Sequence, residues 1–397
     1  MTHAGTWEGP ARILGAPGMV DVEIGDDGAI AITLHPIGLA KHPLTDVMID
    51  GDTITGQLGA IGAVELQPDG DGLRLHWARS GETLDVALTP KLDEGIGDGP
   101  YPYVDAVVVA RHGEIIRDDY FNGTTADDLH TQQSCTKSIT ALIFGTAIDR
   151  GEIELDAPVW RYLSDRPDSR WVREKYAATV HHLLCMSVGL EWNEEVHYTD
   201  PSNDNTAMNA SGDWIGYVLD RPLQQGFPVG ERFEYQSGLS ILVGAVLRNA
   251  TGRTVDELAR ERLFAPLGIE QFRWTKDGDG NPHTGGGLIL APRDMVKLGQ
   301  LVLDGGRDGV LSKEWVELAT RQHTIHAESG TRYGYKWFIG DLPVGDRTYD
   351  VVAAGGYGGQ SLMVLRELDL VIQSNAHDWF GDGHLGRIAV DVVESVL

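Results

Sequence analysis

Thr131-Gln132-Gln133-Ser134-Cys135-Thr136-Lys137-Ser138-Ile139-Thr140-Ala141-Leu142-Ile143-Phe144 is the stretch from which the rest of the chain can be read. From Ser134 to about Asp149 the residues are mostly apolar or small, and Gly151 stands where a helix end favours a left-handed residue. The pattern predicts a helix over 134–149. Being apolar on most faces, it should be buried and central. Ser134 is the only serine in the chain followed three residues later by lysine, and i and i+3 share a helix face. A serine hydroxyl becomes a nucleophile when a base takes its proton, and a lysine can do so when its surroundings hold it uncharged. An unpaired ammonium beside the run Ser138–Phe144 would be expensive. At a helix N-terminus the N–H of Ser134 is free to stabilise an oxyanion. The competing reading is a capping serine with an incidental lysine, and Ser-x-x-Lys alone does not exclude it.

Upstream, the grammar is that of β structure. Val20, Val22 and Ile24 alternate with polar residues, Asp26-Asp27-Gly28 turns the chain, and Ile30, Ile32 and Leu34 alternate again, which predicts a hairpin. Leu73, Leu75 and Trp77, then Leu84, Val86 and Leu88, continue the two-residue period. Residues 1–95 are expected to form an antiparallel β domain, as a small barrel or sheet. Gly5-Thr6-Trp7-Glu8-Gly9 resembles the first strand of calycin-like barrels, although a tryptophan that simply plugs a core reads the same. Thr89–Pro100 has the Gly and Asp content of a linker. Residues 96–397 mix α and β. A hairpin is expected at Ala106–Ile116, helices and loops over about 155–285, and strands at Tyr335–Ile339, Tyr349–Ala353 and Leu362–Gln373. Strands at both ends suggest an α+β fold, one sheet with a helical subdomain inserted.

The chain has 397 residues, 42% hydrophobic and 23% charged, with a formal net charge of −27. That length favours two units. That charge repels phosphate, so neither nucleic acid nor an anionic membrane surface is expected as partner. Two cysteines, Cys135 and Cys185, are too few for a disulfide framework. The N-terminus lacks a basic region followed by an apolar run, and no stretch is long enough to span a bilayer, so a cytoplasmic location is expected.

Gln133–Ser138, Ala147-Ile148-Asp149-Arg150-Gly151 and Leu155-Asp156-Ala157-Pro158-Val159 closely resemble the serine β-lactamase-related hydrolases. That group includes class C β-lactamases, D-alanyl-D-alanine carboxypeptidases, esterases and nylon-oligomer (6-aminohexanoate-dimer) hydrolases. The likeness continues through Val180–Leu190, Leu263–Ile269 and Gly285–Asp294, and covers about residues 101–397. It implies a β-lactamase/transpeptidase-like fold, an antiparallel sheet flanked by helices, and an acyl-enzyme on Ser134 with Lys137 as base. The family's Tyr-x-Asn or Tyr-x-Ser motif is matched by Tyr235-Gln236-Ser237, making Tyr235 the proton relay and Ser237 its support. The third motif departs. His283-Thr284-Gly285 has the letters of His-x-Gly but lies in a loop far from the terminal strands, and His283 is read as a surface-loop histidine. Gly356-Tyr357-Gly358-Gly359-Gln360 fits the nylon-oligomer hydrolase form, Gly-x-x-Gly-Gln. The N–H of Tyr357 is then the second oxyanion donor, with Gly356 and Gly358 letting backbone approach the substrate. Tyr198 resembles a tyrosine that closes over an amide substrate in those hydrolases. A plain loop tyrosine is the competing reading.

Other constellations fail. There is no Gly-x-Ser-x-Gly elbow, no His-Glu-x-x-His, and no Gly-x-Gly-x-x-Gly after a strand. No metal or organic cofactor is implied. The expected activity is hydrolysis of small esters or amides; a homo-oligomer is compatible with the sequence. β-Lactamase or D-alanyl-D-alanine peptidase activity, or a non-catalytic ligand sensor on the same fold, are the alternatives. A ligand-binding role for the β domain also stays open.

Overall fold

The structure, a computed structural model, describes residues 5–13, 16–24, 29–34, 39–50, 53–58, 62–69, 72–79, 82–90, 103–198, 200–327, 329–379 and 385–397. Up to Pro90, the regular elements among the described residues are all strands. Four strands, β1 (Gly5–Ile13), β2 (Ala16–Ile24), β3 (Ile30–Leu34) and β4 (Leu39–Pro43), make one antiparallel meander. Five more, β5 (Thr45–Asp50), β6 (Thr53–Gln57), β7 (Ala63–Asp69), β8 (Gly72–Arg79) and β9 (Glu82–Pro90), make another. β1 pairs with β9, giving one nine-stranded sheet. Its edges, β4 and β5, are joined by the single buried residue Leu44, so they meet at that end and the sheet curls. The alternation works as the period demands: Val20, Val22 and Ile24 face Leu34, Ile32 and Ile30, and all six are buried. The Trp7 side chain and residues 91–102, which hold most of the expected linker, lie outside the described residues.

The second sheet has eight strands. β10 (Val104–Arg111) and β11 (Glu114–Tyr120) form its first hairpin. A small three-stranded sheet follows, from β12 (His130–Thr131), β13 (Phe272–Trp274) and β14 (Leu288–Leu290), in the order β12-β14-β13. The large sheet is completed by β15 (Thr324–Ile325), β16 (Arg332–Tyr333), β17 (Phe338–Val344), β18 (Arg347–Gly356), β19 (Gln360–Leu365) and β20 (Leu370–Ala376). Its order is β11-β10-β20-β19-β18-β17-β16-β15. Segments more than 250 residues apart thus lie side by side in β10 and β20, as an α+β sheet assembled from distant segments requires. From Ala106 to Ala110 β10 is apolar because both its faces are covered. Val108 and Ala110 pack toward the main helices, while Val107 and Val109 pack with Ile388, Val392 and Val393 of the C-terminal helix.

Helix α1 (Cys135–Asp149) runs behind the sheet with every residue from Cys135 to Ala147 buried, and Gly151 takes φ 68° beyond its end. Gly145 lets it pass Trp315, whose ring lies 2.1 Å from where a Cβ would stand. Two strand expectations shift. Tyr335–Trp337 is a bend, with Lys336 at φ 64°, and the strand begins at Phe338. The run Leu362–Gln373 is two strands, broken by the turn Arg366–Leu368 and Asp369 at φ 50°. Strand Phe272–Trp274, inside the region expected to be helix and loop, also departs from the reading. Among the described residues no helix is long and apolar enough to cross a membrane.

Candidate active site

Ser134 caps α1 from a tight turn. Gln133 holds φ 44°, and the N–H groups of Cys135, Thr136 and Lys137 donate to the carbonyls of Gln132, Gln133 and Ser134. That turn leaves the Ser134 N–H with no backbone partner among the described residues. One turn on, Lys137 is 2% exposed. Its Nζ lies 2.9 Å from Ser134 Oγ and donates to the Gly285 carbonyl at 2.5 Å. The same Nζ stands over the ring of Tyr235, 5.0 Å from its centroid. Tyr235 immediately precedes the Gln236 cap of the helix Ser237–Thr251, and its ring stacks on Phe338 at 6.3 Å and 13°. Serine, lysine and tyrosine from separate stretches of chain therefore share one place.

Two loops flank them. The first is 283–287, and here the reading of His283 as a surface residue is corrected. His283 is 8% exposed; its Nε2 bonds Asn209 Oδ1, its carbonyl accepts from Trp274 Nε1, and its ring meets Trp214 edge-on at 4.8 Å. Burial, with the nearby Lys137 charge, pushes its pKa down to about 4. The loop is interior because Gly285 must reach Lys137, a long-range contact that local composition does not show. The second flank is the turn Gly356–Gln360. A Cβ on Gly356 would lie 2.7 Å from the Gln132 carbonyl oxygen, so only glycine lets this turn press against the one before Ser134. Gly358, at φ 76°, is backed by the Trp379 ring. The Tyr357 N–H has no backbone partner among the described residues, while its hydroxyl donates to the Trp379 carbonyl at 2.5 Å and meets His197 Nε2 at 2.9 Å. Burial pushes that phenol up to about 12.

Behind both turns runs a dry chain of amides. Gln132 Oε1 accepts from Gln373 Nε2 and Asn375 Nδ2, Asn375 Nδ2 also donates to Gln360 Oε1 at 2.9 Å, and Gln360 Nε2 donates to the carbonyls of Tyr357, Gly358 and Ala376. All four side chains belong to fully buried residues. Gln373 Oε1 is the one atom of this amide chain without a hydrogen-bond partner among the described residues; the other amide groups are paired, and paired buried networks specify one geometry.

Among the described residues, Ser237 and Tyr198 make no hydrogen bond to Ser134; both bind Glu194, which the sequence reading missed. The Glu194 carboxylate accepts from Ser237 Oγ (2.6 Å) and N (2.8 Å), Trp192 Nε1 (2.8 Å) and Tyr198 OH (3.0 Å). Burial, then the Glu194 charge, drives the Tyr198 phenol upward, so it stays a donor. Its ring lies 5.0 Å from that of Tyr357. Nothing in Glu191-Trp192-Asn193-Glu194-Glu195 singles out the middle glutamate. Lys336 was missed too, though a lysine between Tyr335 and Trp337 carried a signal. It is 2% exposed, its Nζ has no hydrogen-bond partner among the described residues, and burial holds its pKa well below the usual lysine value.

The Beta-lactamase family model matches residues 103–387. Among curated proteins, the chain is 27% identical over 226 residues to the 6-aminohexanoate-dimer hydrolase of Paenarthrobacter ureafaciens, covering 54% of this chain and 56% of the relative. It is 31% identical over 176 residues to the esterase EstB of Burkholderia gladioli, covering 41% and 44%. The chain thus spans about half the length of the curated relatives it matches. Among solved structures, a Bacillus anthracis protein provisionally named 6-aminohexanoate-dimer hydrolase superposes with a TM-score of 0.64 at 20% identity, covering 80% of this chain and 82% of the other. At that identity the likeness speaks for the fold. With the family match extending over most of the chain, this protein belongs to the Beta-lactamase family, the serine hydrolases of that fold.

Proposed function

We propose that the protein hydrolyses small esters or linear amides through an acyl-enzyme on Ser134. Lys137, acting uncharged, accepts the Oγ proton as Oγ attacks the carbonyl carbon. The N–H groups of Ser134 and Tyr357 hold the oxyanion. Tyr235 relays the proton to the leaving group, and water, deprotonated by the same pair, releases the acid. Gly356 and Gly358 allow the backbone to close on the carbonyl. Glu194 fixes Tyr198 and Ser237 at the mouth. The observation that carries the reading is the 2.9 Å contact between Lys137 Nζ and Ser134 Oγ at a helix N-terminus, with Gly285 anchoring the amine. Two further points support esters and linear amides over substrates bearing a carboxylate. Gly356–Gln360 replaces a Lys-Thr-Gly strand, removing the expected cation. Two curated relatives are also, by name, an esterase and a 6-aminohexanoate-dimer hydrolase. Residues 1–95 and 96–397 are read as two domains, with the helical insertion at about 155–285. A separate apolar cluster drawn only from residues 20–86 supports this division.

The test is a panel of p-nitrophenyl esters, nitrocefin, D-alanyl peptides and aminohexanoate dimers, with a fluorophosphonate probe. Ester or dimer turnover, and probe label on Ser134 that vanishes in Ser134→Ala, is the expected result. Unlabelled, inactive but folded protein would leave a ligand sensor instead.

A further inference from the structure

One buried carboxylate outside the site ties together the two segments on which the proposed oxyanion donors sit. Asp105, on β10, is 1% exposed. Its Oδ2 meets His130 Nε2 at 2.9 Å, and its Oδ1 meets His377 Nδ1 at 2.8 Å. His130 is 3% exposed and stands four residues before Ser134; its other nitrogen bonds the Thr131 carbonyl at 3.0 Å. His377 begins the stretch that backs the other donor. Asp378 N–H donates to the Gly358 carbonyl at 3.0 Å, and Trp379 supplies both the ring behind Gly358 and the acceptor for the Tyr357 hydroxyl. Burial raises the Asp105 pKa, but the charge of His377 and hydrogen bonds from both imidazoles outweigh it, so the group is a carboxylate at any ordinary pH.

We propose that Asp105 is a positioning residue: by gripping His130 and His377 at once, it sets the gap between the N–H of Ser134 and the N–H of Tyr357. The inference rests on the reading of those two groups as oxyanion donors. It goes beyond that reading by assigning the spacing to a carboxylate that touches no substrate. The amide chain from Gln132 to Gln360 fixes the same two turns from the sheet side. Asp105 adds a charged clamp on the Trp379 segment, beside the ring contacts of His377 with Tyr103 and of Trp379 with Tyr357. Hydrogen bonds to a charged acceptor are the stronger kind, which is why a carboxylate suits the task.

The test uses the full chain and Asp105→Asn, which keeps the shape and removes the charge. Active sites are counted by fluorophosphonate titration, and kcat and KM are measured on a p-nitrophenyl ester per titrated site. A positioning role predicts kcat lower by about tenfold or more with KM within about twofold, because the loss falls on the transition state. A purely structural role lowers the titratable fraction and leaves kcat per site unchanged, which would overturn the proposal. If Asp105→Asn does not fold, His377→Asn removes one arm of the clamp. It is expected to show the same split at smaller size, and an unchanged kcat per site there also overturns it. Where both variants fold, their effects should be less than additive. Failure of the wild type to label or turn over would strike the proposed function itself, a result distinguishable from labelled wild type beside an unaffected Asp105→Asn.

Discussion

Gly356→Ala probes the oxyanion arrangement from the other side. The new Cβ would sit 2.7 Å from the Gln132 carbonyl oxygen, 2.9 Å from Gln360 Cβ and 3.1 Å from Gln133 Cβ. An ordinary contact needs about 3.4 Å, so the two turns must part by roughly 0.7 Å. Neither neighbour can yield by rotating a flexible side chain, because the closest atom is backbone and Gln360 is pinned at both ends of its amide. A donor moved by that distance loses much of its bond to the developing oxyanion, and loss of one such donor costs about 10²–10³ in kcat. A shift short of full loss should cost on the order of 10²-fold. Overpacking should lower stability by about 1–3 kcal/mol. The assay is steady-state hydrolysis of a p-nitrophenyl ester per titrated site, beside a urea melt. A folded variant with kcat within about threefold of the wild type would refute the reasoning.

Glu194→Gln leaves one of the donors Ser237, Trp192 or Tyr198 facing an amide N–H₂, and is expected to destabilise the protein by about 1–3 kcal/mol in urea unfolding. It should also raise KM more than it lowers kcat, since Tyr198 bonds Glu194 and lies beside the Tyr357 ring, with no hydrogen bond to Ser134 or Lys137 among the described residues. His283 gives a pH dependence. Its folded pKa of about 4 lies below the ordinary imidazole value of 6.5, so between those limits the unfolded chain binds the extra proton. Stability is therefore full above about pH 6.5 and falls as pH drops toward 4, by up to about 3 kcal/mol from this one group. Urea midpoints of His283→Gln should fall less over that window than those of the wild type.

The chemistry was more legible than its surroundings, for a physical reason. Ser134 and Lys137 are one helical turn apart, so a local rule places them together, and the β strands around Val20–Leu34 follow a period of two that needs no tertiary knowledge. Tyr235 and Gly356–Gln360 became legible only through resemblance, since nothing local says that they converge on Ser134. Loop 277–287 was misread because its Gly, Asp and Asn look like solvent-exposed turn chemistry, while its inner half is drawn inside by contacts distant in sequence, Gly285 to Lys137, His283 to Asn209 and Thr284 to Ser240. Glu194 and Asp105 were missed for a related reason. Asp105 meets His130 and His377, and Glu194 meets Ser237, only across long stretches of chain, and a lone acidic residue in a chain this acidic carries no mark.

The two buried lysines show what does distinguish a working group. Both Lys137 and Lys336 are 2% exposed, and the argument that a lysine in an apolar setting wants a purpose applies to each. Lys137 has a hydroxyl at 2.9 Å and a carbonyl at 2.5 Å, an arrangement that lets a neutral amine donate one hydrogen to Gly285 while its lone pair faces Ser134 Oγ. Lys336 has no partner for its Nζ among the described residues. Burial holds its pKa well below the usual lysine value. Its backbone is the part that is held: the carbonyl accepts from Ser138 Oγ at 2.5 Å and the N–H donates to the Leu184 carbonyl. Burial alone thus selects two lysines. The hydrogen-bond inventory around each nitrogen selects one, and it is the one whose lone pair has somewhere chemical to go.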